Sequence, residues 1–369
     1  MAGITITVDT GTEFEAGESE VNSICRLDDN TWAIAYRDKD DFDYGKVNIG
    51  TRSGVTVTMS EATATTFNSD ATTLIEVRAF SATKILLCYY DLNDTTSPRL
   101  RAATVSGTTV TLGTEYDIGT LTDGDVASDL GISIAILDDT NFVVTHTYKE
   151  VGTGTVKVAA YVGSVSGTTI TLGVEHIIES GTAGTQGPYV RSVGLDSTHY
   201  MVAYGVNSVC KGVVGEVNTG TKIITYGTIK VIGATFAPGW YNVLAIDKFD
   251  SRHVVLLGDN LNFGTRFKVT ACSIHDTTHE ITQGSAVQIN GAVASDVYAG
   301  ICAMDSNHFV GAYRQSDDTA YVRSGYITGS TTVTLDSEGE IQFDTNDLAM
   351  TNICRLTDNY FAIAWKQIP

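Results

Sequence analysis

The chain has 369 residues, 43% of them hydrophobic and only 18% charged, with 36 glycines against 4 prolines. Its formal net charge of −20 excludes an electrostatic match to nucleic acid or to an anionic membrane, because both require a basic surface. No stretch approaches 18 consecutive apolar residues, and the opening MAGITITVDTGTEF has neither the basic start nor the apolar run of a secretion signal. The expectation is a protein that does not insert in a membrane.

Taken in chain order, residues 3–16 (GITITVDTGTEFEA) read as a strand rich in β-branched residues. Four more follow within residues 23–67, labelled a to d: ICRL, WAIAYR, KVNIGTR and VTVTMSEATATTF. The first two are joined by LDDNT, whose short polar side chains suit a tight turn. The same a–b phrase then returns as VRAFSATKILLCYY (77–90), IAILDDTNFVVTHT (134–147), SVGLDSTHYMVAYG (192–205), VLAIDKFDSRHVVLLG (243–258), GICAMDSNHFVGAYR (300–314) and ICRLTDNYFAIAW (353–365). The last matches residues 24–36 at nine of thirteen positions. Leu27, Phe80, Leu137, Leu195, Ile246, Met304 and Leu356 anchor the seven copies at spacings of 53, 57, 58, 51, 58 and 52 residues. Between them recurs a c–d phrase, clearest in TVSGTTVTLGTEYDI (104–118) and SVSGTTITLGVEHII (164–178).

A repeated unit of four antiparallel strands without helices predicts the blades of a β-propeller, and seven copies predict seven blades in one domain, 1–369. The blades are expected at about 23–67, 76–118, 132–178, 190–232, 242–289, 298–343, and 351–368 completed by 3–16. The seventh copy has no residues for a strand c. That blade is therefore either three-stranded, closed by the N-terminal strand, or takes a fourth strand from a partner chain; the three-stranded form is favoured. Joining the N-terminal strand to the C-terminal blade closes the ring and removes open strand edges. Cys25, Cys88, Cys210, Cys272, Cys302 and Cys354 form no CxxC pair and read as small apolar residues in strands.

In such a ring the short a–b and c–d turns share one face, and the longer b–c and d–a loops share the other. A binding site is expected on the loop-rich face. Candidates there are the loop aromatics Tyr189, Trp240 and Tyr241, for stacking on a sugar ring or for packing between blades, and Arg37 and Arg314 at equivalent ends of strand b, for an acidic ligand or for pairing with nearby aspartates. Asp38, Asp40, Asp41 and Asp43 cluster in DKDDFDYG as oxygen donors that suit Ca2+, although the loop lacks the full D-x-[DN]-x-[DN]-G pattern and also reads as a solvated turn. No other cofactor is indicated.

Catalytic signatures are missing. LDDNTW (27–32) departs from the sialidase S-x-D-x-G-x-T-W box, with Leu27 where the aspartate belongs and Asp29 where the glycine belongs. HDTTH (275–279) offers two histidines in a c–d turn but no glutamate and no third ligand. A glycosidase pair of carboxylates gathered from separate blades stays open as an alternative.

The phrases VSGTTVTLG and VSGTTITLG, with LDDTNFVVTHTY and LDSTHYMVAYG, resemble the repeats of phage tail and bacterial surface propellers. That resemblance implies a non-enzymatic virion protein of a tail fibre, tail tip or capsid decoration, partnered by a host glycan or by neighbouring virion proteins and oligomeric through the assembly. A lectin-like adhesive propeller on a bacterial surface and a glycan-cleaving enzyme are the alternatives.

Overall fold

The computed structural model describes residues 6–7, 11–93, 98–119, 131–149, 155–182, 190–206, 209–232, 243–258, 267–290, 299–315, 319–344 and 348–367. Within them every strand pairing is antiparallel, a single 3-10 turn lies at Glu61–Thr63, and no helix is long and apolar enough to cross a membrane. Its innermost strands are Ser19–Arg26, the second half of Thr65–Ser81, Ile132–Ile136, Val190–Gly194, Val243–Lys248, Ala299–Ala303 and Leu348–Thr357. Each packs against the next, and the last packs against the first, which closes a ring of seven. From each innermost strand a sheet runs outward, as in Ile132–Ile136, Asn141–Lys149, Thr155–Ser166 and Thr169–Thr182. The fold is a seven-bladed β-propeller.

The a–b turns explain the repeated polar phrase. Asp28, Asp138, Asp196, Asp250 and Asp305 each accept a backbone N–H from two residues on, at 2.7–2.8 Å. Ser81 and Thr357 do the same through their hydroxyls. These bonds replace ladder hydrogen bonds that the chain gives up on reversing direction. The turn geometry also moves one anchor. In blade five the residue whose N–H closes the turn is Phe249, bonded to the His253 carbonyl, as Leu195 is to that of His199. Phe249, not Ile246, is therefore the equivalent of Leu27, and the repeat spacing on either side becomes 54 and 55 residues.

Strand b reads as an unbroken apolar run (WAIAY, ILLCYY) because both of its faces are buried. Seven apolar clusters fill the seven seams. In strand Thr31–Asp38, Ala33 and Ala35 belong to the cluster shared with blade two, and Trp32 and Ile34 to the one shared with blade seven. Glycines in strand c answer the large rings of strand b: Trp32 faces Gly50, Phe142 faces Gly163, Tyr200 faces Gly215 and Phe309 faces Gly325, and a Cβ at any of these glycines would run into the facing ring. Where strand b carries the smaller Ile85, strand c carries Ala103.

The c–d phrase has its own physical reading. Gly107 and Gly167 of VSGTT turn the chain with φ of 59° and 60°, the left-handed region that side chains with a Cβ avoid. The following glycine of TLG lets the next blade approach. A Cβ on Gly113 would strike Thr168, on Gly173 Lys222 and on Gly284 Thr331, each in the c–d turn one blade on.

Two of the seams lean on the N-terminal segment. The clusters beside blade seven hold seven and six buried members among the described residues, fewer than at any other seam, and both recruit N-terminal residues: Ile6 packs with Ile353, Phe361 and Ile363, and Phe14 with Trp32, Cys354 and Leu356. Gly11 lies against the Trp365 ring, and the buried Glu15 accepts a hydrogen bond of 2.9 Å from Tyr36. The N-terminal segment thus joins the C-terminal blade. Residues 11–16 lie there without strand pairing, and the rest of 3–16, apart from Ile6 and Thr7, falls outside the described residues. The seventh sheet has two strands among the described residues, Leu348–Thr357 and Tyr360–Gln367.

All six cysteines are free thiols, and burial raises the pKa of each. Cys25 and Cys354 occupy equivalent buried positions on adjacent innermost strands, as the matching phrases predict.

Candidate functional site

On the loop-rich face, the b–c loop of blade one (residues 39–43) sits where the ring closes. Its residues build a braced platform. Asp38 is buried; its Oδ1 accepts the N–H groups of Asp40 (3.0 Å) and Asp41 (3.1 Å), and its Oδ2 pairs with Lys46. Lys46 also reaches Asp41 at 3.0 Å. Burial disfavours the Lys46 charge, but Asp38 and Asp41 outweigh it and raise its pKa to about 12. Arg37 pairs with Glu20 and lies 3.6 Å from Asp43.

The N-terminal segment and the C-terminal strand tie into the same network. Lys39 and Lys366 both hold Glu18, at 2.8 and 2.9 Å, and both reach Glu20 at 3.2 Å. Hydrogen bonds from Lys39 and Lys366 lower the Glu18 pKa to about 2. The Glu18 N–H donates to Asp40 at 3.1 Å, and the Lys39 N–H donates to the Glu18 carbonyl at 2.8 Å.

This bracing holds an uncommon backbone. Phe42 and Asp43 both adopt left-handed conformations, with φ of 55° and 63°. Each such non-glycine residue costs roughly 1–3 kcal/mol and persists only where its surroundings over-determine it. The result is an aromatic ring held out into solvent: Phe42 is 78% exposed, flanked by the half-exposed carboxylates of Asp41 and Asp43, with the Tyr44 ring 5.8 Å away. Chemically, this is an apolar face with a rim of hydrogen-bond acceptors.

The sequence-predicted residues divide accordingly. Asp38, Asp40, Asp41, Asp43 and Arg37 come together in this loop. Their carboxylates are directed at Lys46, Arg37 and backbone N–H groups, so ammonium and guanidinium stand where a Ca2+ ion would have to sit. Arg314 is in blade six, buried at 5% exposure at the end of strand His308–Arg314, two blades from Arg37. Tyr189, Trp240 and Tyr241 lie outside the described residues. Sequence reasoning passed over Phe42, whose signal was its place as the one aromatic ring inside a run of four aspartates.

Along the ring axis, two carboxylates serve the seams. Glu76 accepts the Ile134 N–H of blade three at 3.2 Å and pairs with Arg78 at 2.6 Å. Asp247 accepts the Ala303 N–H of blade six at 2.9 Å; burial raises its pKa, against the hydrogen bonds from Ala303 and Lys248. Ser23 and Ser133 make the corresponding ties to Val77 and Ser192.

No protein-family model matches the chain, and no curated protein matches it in sequence. Solved structures do. A candidate 6-phosphogluconolactonase from Bacteroides fragilis aligns over 93% of this chain and 86% of its own, at 8% identity and a TM-score of 0.58. A protein from Lactobacillus plantarum aligns over 85% and 83%, at 14% identity and 0.53. The Aleuria aurantia lectin, solved with Fucα1-6GlcNAc, aligns over 88% and 95%, at 11% identity and 0.51. At these identities the likeness is one of fold, and it sets the chain among proteins built as β-propellers.

Proposed function

We propose that this chain is a non-enzymatic, glycan-binding propeller that presents its loop-rich face to a host surface polysaccharide, carried on a phage particle as a tail or decoration protein. The observation that carries the binding claim is Phe42, a solvent-exposed ring on a backbone strained at two successive residues and braced by ion pairs from both ends of the chain. The two left-handed residues are the central pair of a β-turn closed by the Tyr44 N–H on the Asp41 carbonyl at 3.0 Å, a place where glycine and asparagine are the usual residues and an aromatic ring is not. A sugar has C–H groups for the ring face and hydroxyls for Asp41 and Asp43. The net charge of −20 favours a neutral or cationic glycan over an acidic one. The occurrence of a lectin among the propellers of like fold agrees with this reading. Placement on a particle rests on the VSGTT-type repeats.

The absence of catalysis is part of the proposal. Glu76 and Asp247, the axial carboxylates, are engaged in hydrogen bonds to the next blade. The test is a glycan array followed by titration of the best ligand. Phe42→Ala should weaken binding at least tenfold, about 1.4 kcal/mol, and leave the unfolding midpoint unchanged. Equal affinity of the two proteins overturns the assignment of the site. Release of reducing ends from the bound polysaccharide overturns the non-enzymatic reading. A gene lying among capsid and tail genes supports the virion placement, and a gene among cell-surface adhesion genes refutes it.

A further inference from the structure

On the opposite, short-turn face, three side chains meet across the seam of blades four and five. His199 opens strand His199–Val206, and Glu216 is its direct cross-strand partner on Val209–Asn218. His279 comes from the c–d turn of blade five, between Lys268–Ile274 and Ile281–Gln283. One ligand atom from each lies within 4.8 Å of the others, and the two imidazole centroids are 4.3 Å apart. We infer that these residues form a divalent transition-metal site, with Zn2+ as the ion that fits it.

Four observations carry the inference. The donor set is right: two imidazoles and one carboxylate are a zinc complement that leaves a fourth position for water or an outside donor. The orientation is right as well. His199 Nδ1 lies 3.0 Å from Asp196 and 3.1 Å from the Thr198 hydroxyl, and this assigns the ring proton to Nδ1 and leaves Nε2 with its lone pair. That Nε2 is shielded from solvent and has no hydrogen-bond partner. Finally, His279 sits at φ 52°, as Lys222 does at 58° in the like turn of blade four, so the turn sets the direction of its side chain, and among the described residues no hydrogen bond or ion pair engages the Glu216 side chain. A tetrahedral zinc ion with bonds of about 2.1 Å sets its ligand atoms about 3.4 Å apart. Small side-chain rotations close the observed spacing to that value.

The repeat supplies an internal control. Asp250–His253 and Asp305–His308 are the same aspartate–histidine couple in blades five and six, with Nδ1 likewise held at 2.9 and 2.7 Å. His253 faces Ser273 across the strands and His308 faces Tyr326, and neither enters a three-ligand group among the described residues, although the His308 Nε2 is likewise shielded and without a hydrogen-bond partner. The couple therefore belongs to the turn, and only in blade four do Glu216 and His279 convert it into a ligand set. HDTTH lacks a site by itself because the missing glutamate and histidine stand in the neighbouring blade.

The experiment is titration of tag-free, metal-stripped full-length chain with Zn2+ by calorimetry, and with Co2+ by visible absorption. One Zn2+ per chain, with intense tetrahedral Co2+ bands that Zn2+ displaces, is the expected result. His279→Asn, which tolerates the left-handed turn, should abolish the bands, and Asp196→Asn should weaken Zn2+ binding roughly 10–100-fold. His253→Ala should change neither. The inference is overturned by octahedral Co2+ spectra alone, by His279→Asn binding as the parent does, or by equal losses in His253→Ala.

Discussion

Blade three carries a built-in acid sensitivity at His146. The equivalent position of strand b is Tyr36, Tyr89, Tyr204 or Tyr313 in other blades, each hydroxyl donating to a glutamate. His146 is instead stacked near Tyr148 and Tyr161, with ring centroids 5.3 and 5.6 Å away, at 1% side-chain exposure, and neither of its nitrogens has a hydrogen-bond partner. The nearest carboxylate, Glu175, is 3.8 Å away and accepts from both tyrosines. Burial without a partner disfavours the imidazolium and lowers the pKa to about 4 from 6.5. As the pH falls through 6.5 the unfolded chain takes up a proton that the folded chain refuses. The stability associated with neutral His146 is therefore complete above pH 6.5 and is lost progressively down to about pH 4. At about 1.4 kcal/mol per unit, the loss is about 3 kcal/mol. His146→Phe keeps the stacking and removes the titration. Other titrating groups shift both proteins alike, so the difference between them isolates this one residue. Urea unfolding at steps from pH 7.5 to 4, read as midpoints at constant m, measures it. The variant's advantage should widen by about 3 kcal/mol toward pH 4; parallel curves within about 0.5 kcal/mol refute the reasoning.

Gly163→Ala should destabilise by about 1–3 kcal/mol, because the new methyl enters the space of the Phe142 ring; combination with Phe142→Leu should recover part of that loss, and simple additivity in urea melts would show that the ring is not the cause. Asp138 accepts from the N–H groups of Thr140 and Asn141 and from both of their side chains, so Asp138→Ala should cost about 1–2 kcal/mol; a change in midpoint within error contradicts the turn assignment. Ring closure should depend on apolar packing more than on charge. Lys366→Ala, which removes pairs to the half-exposed Glu18 and Glu20, should cost under about 1 kcal/mol, and Ile6→Ala, buried between blades six and seven, about 2–4 kcal/mol. The reverse order would make the ion pairs the closing element.

What the sequence displays is what neighbouring residues decide. The a–b turn is settled within five residues by an aspartate and the N–H groups it accepts, and a glycine in VSGTT by one φ angle, so blade number, turn positions and the meeting of the ends are legible. Blade five is the exception that confirms the cause: VLAIDKF offers apolar residues at both 246 and 249, and only the turn hydrogen bond identifies Phe249. The exposure and left-handed backbone of Phe42 were not legible, because Arg37 and Lys46 beside it act together with Glu18 and Lys366, which lie 24 and 324 residues away.

The seams lie further still from sequence reading, yet they obey an offset. Contacts recur between strand d of one blade and the c–d turn of the next, as in Gly113 with Thr168, Gly173 with Lys222 and Gly284 with Thr331. His199 and His279 meet at the same kind of seam, between blade four and the c–d turn of blade five. A residue at a c–d turn is thus the physical neighbour of residues in the preceding blade, 47–55 residues earlier for the three glycines and 80 for His199. Because rigid sheets packed on both faces fix that offset, a change in either partner is felt at the seam and not along the chain. Isolated blades should consequently lack the zinc-type ligand set altogether, since Glu216 and His279 never share one.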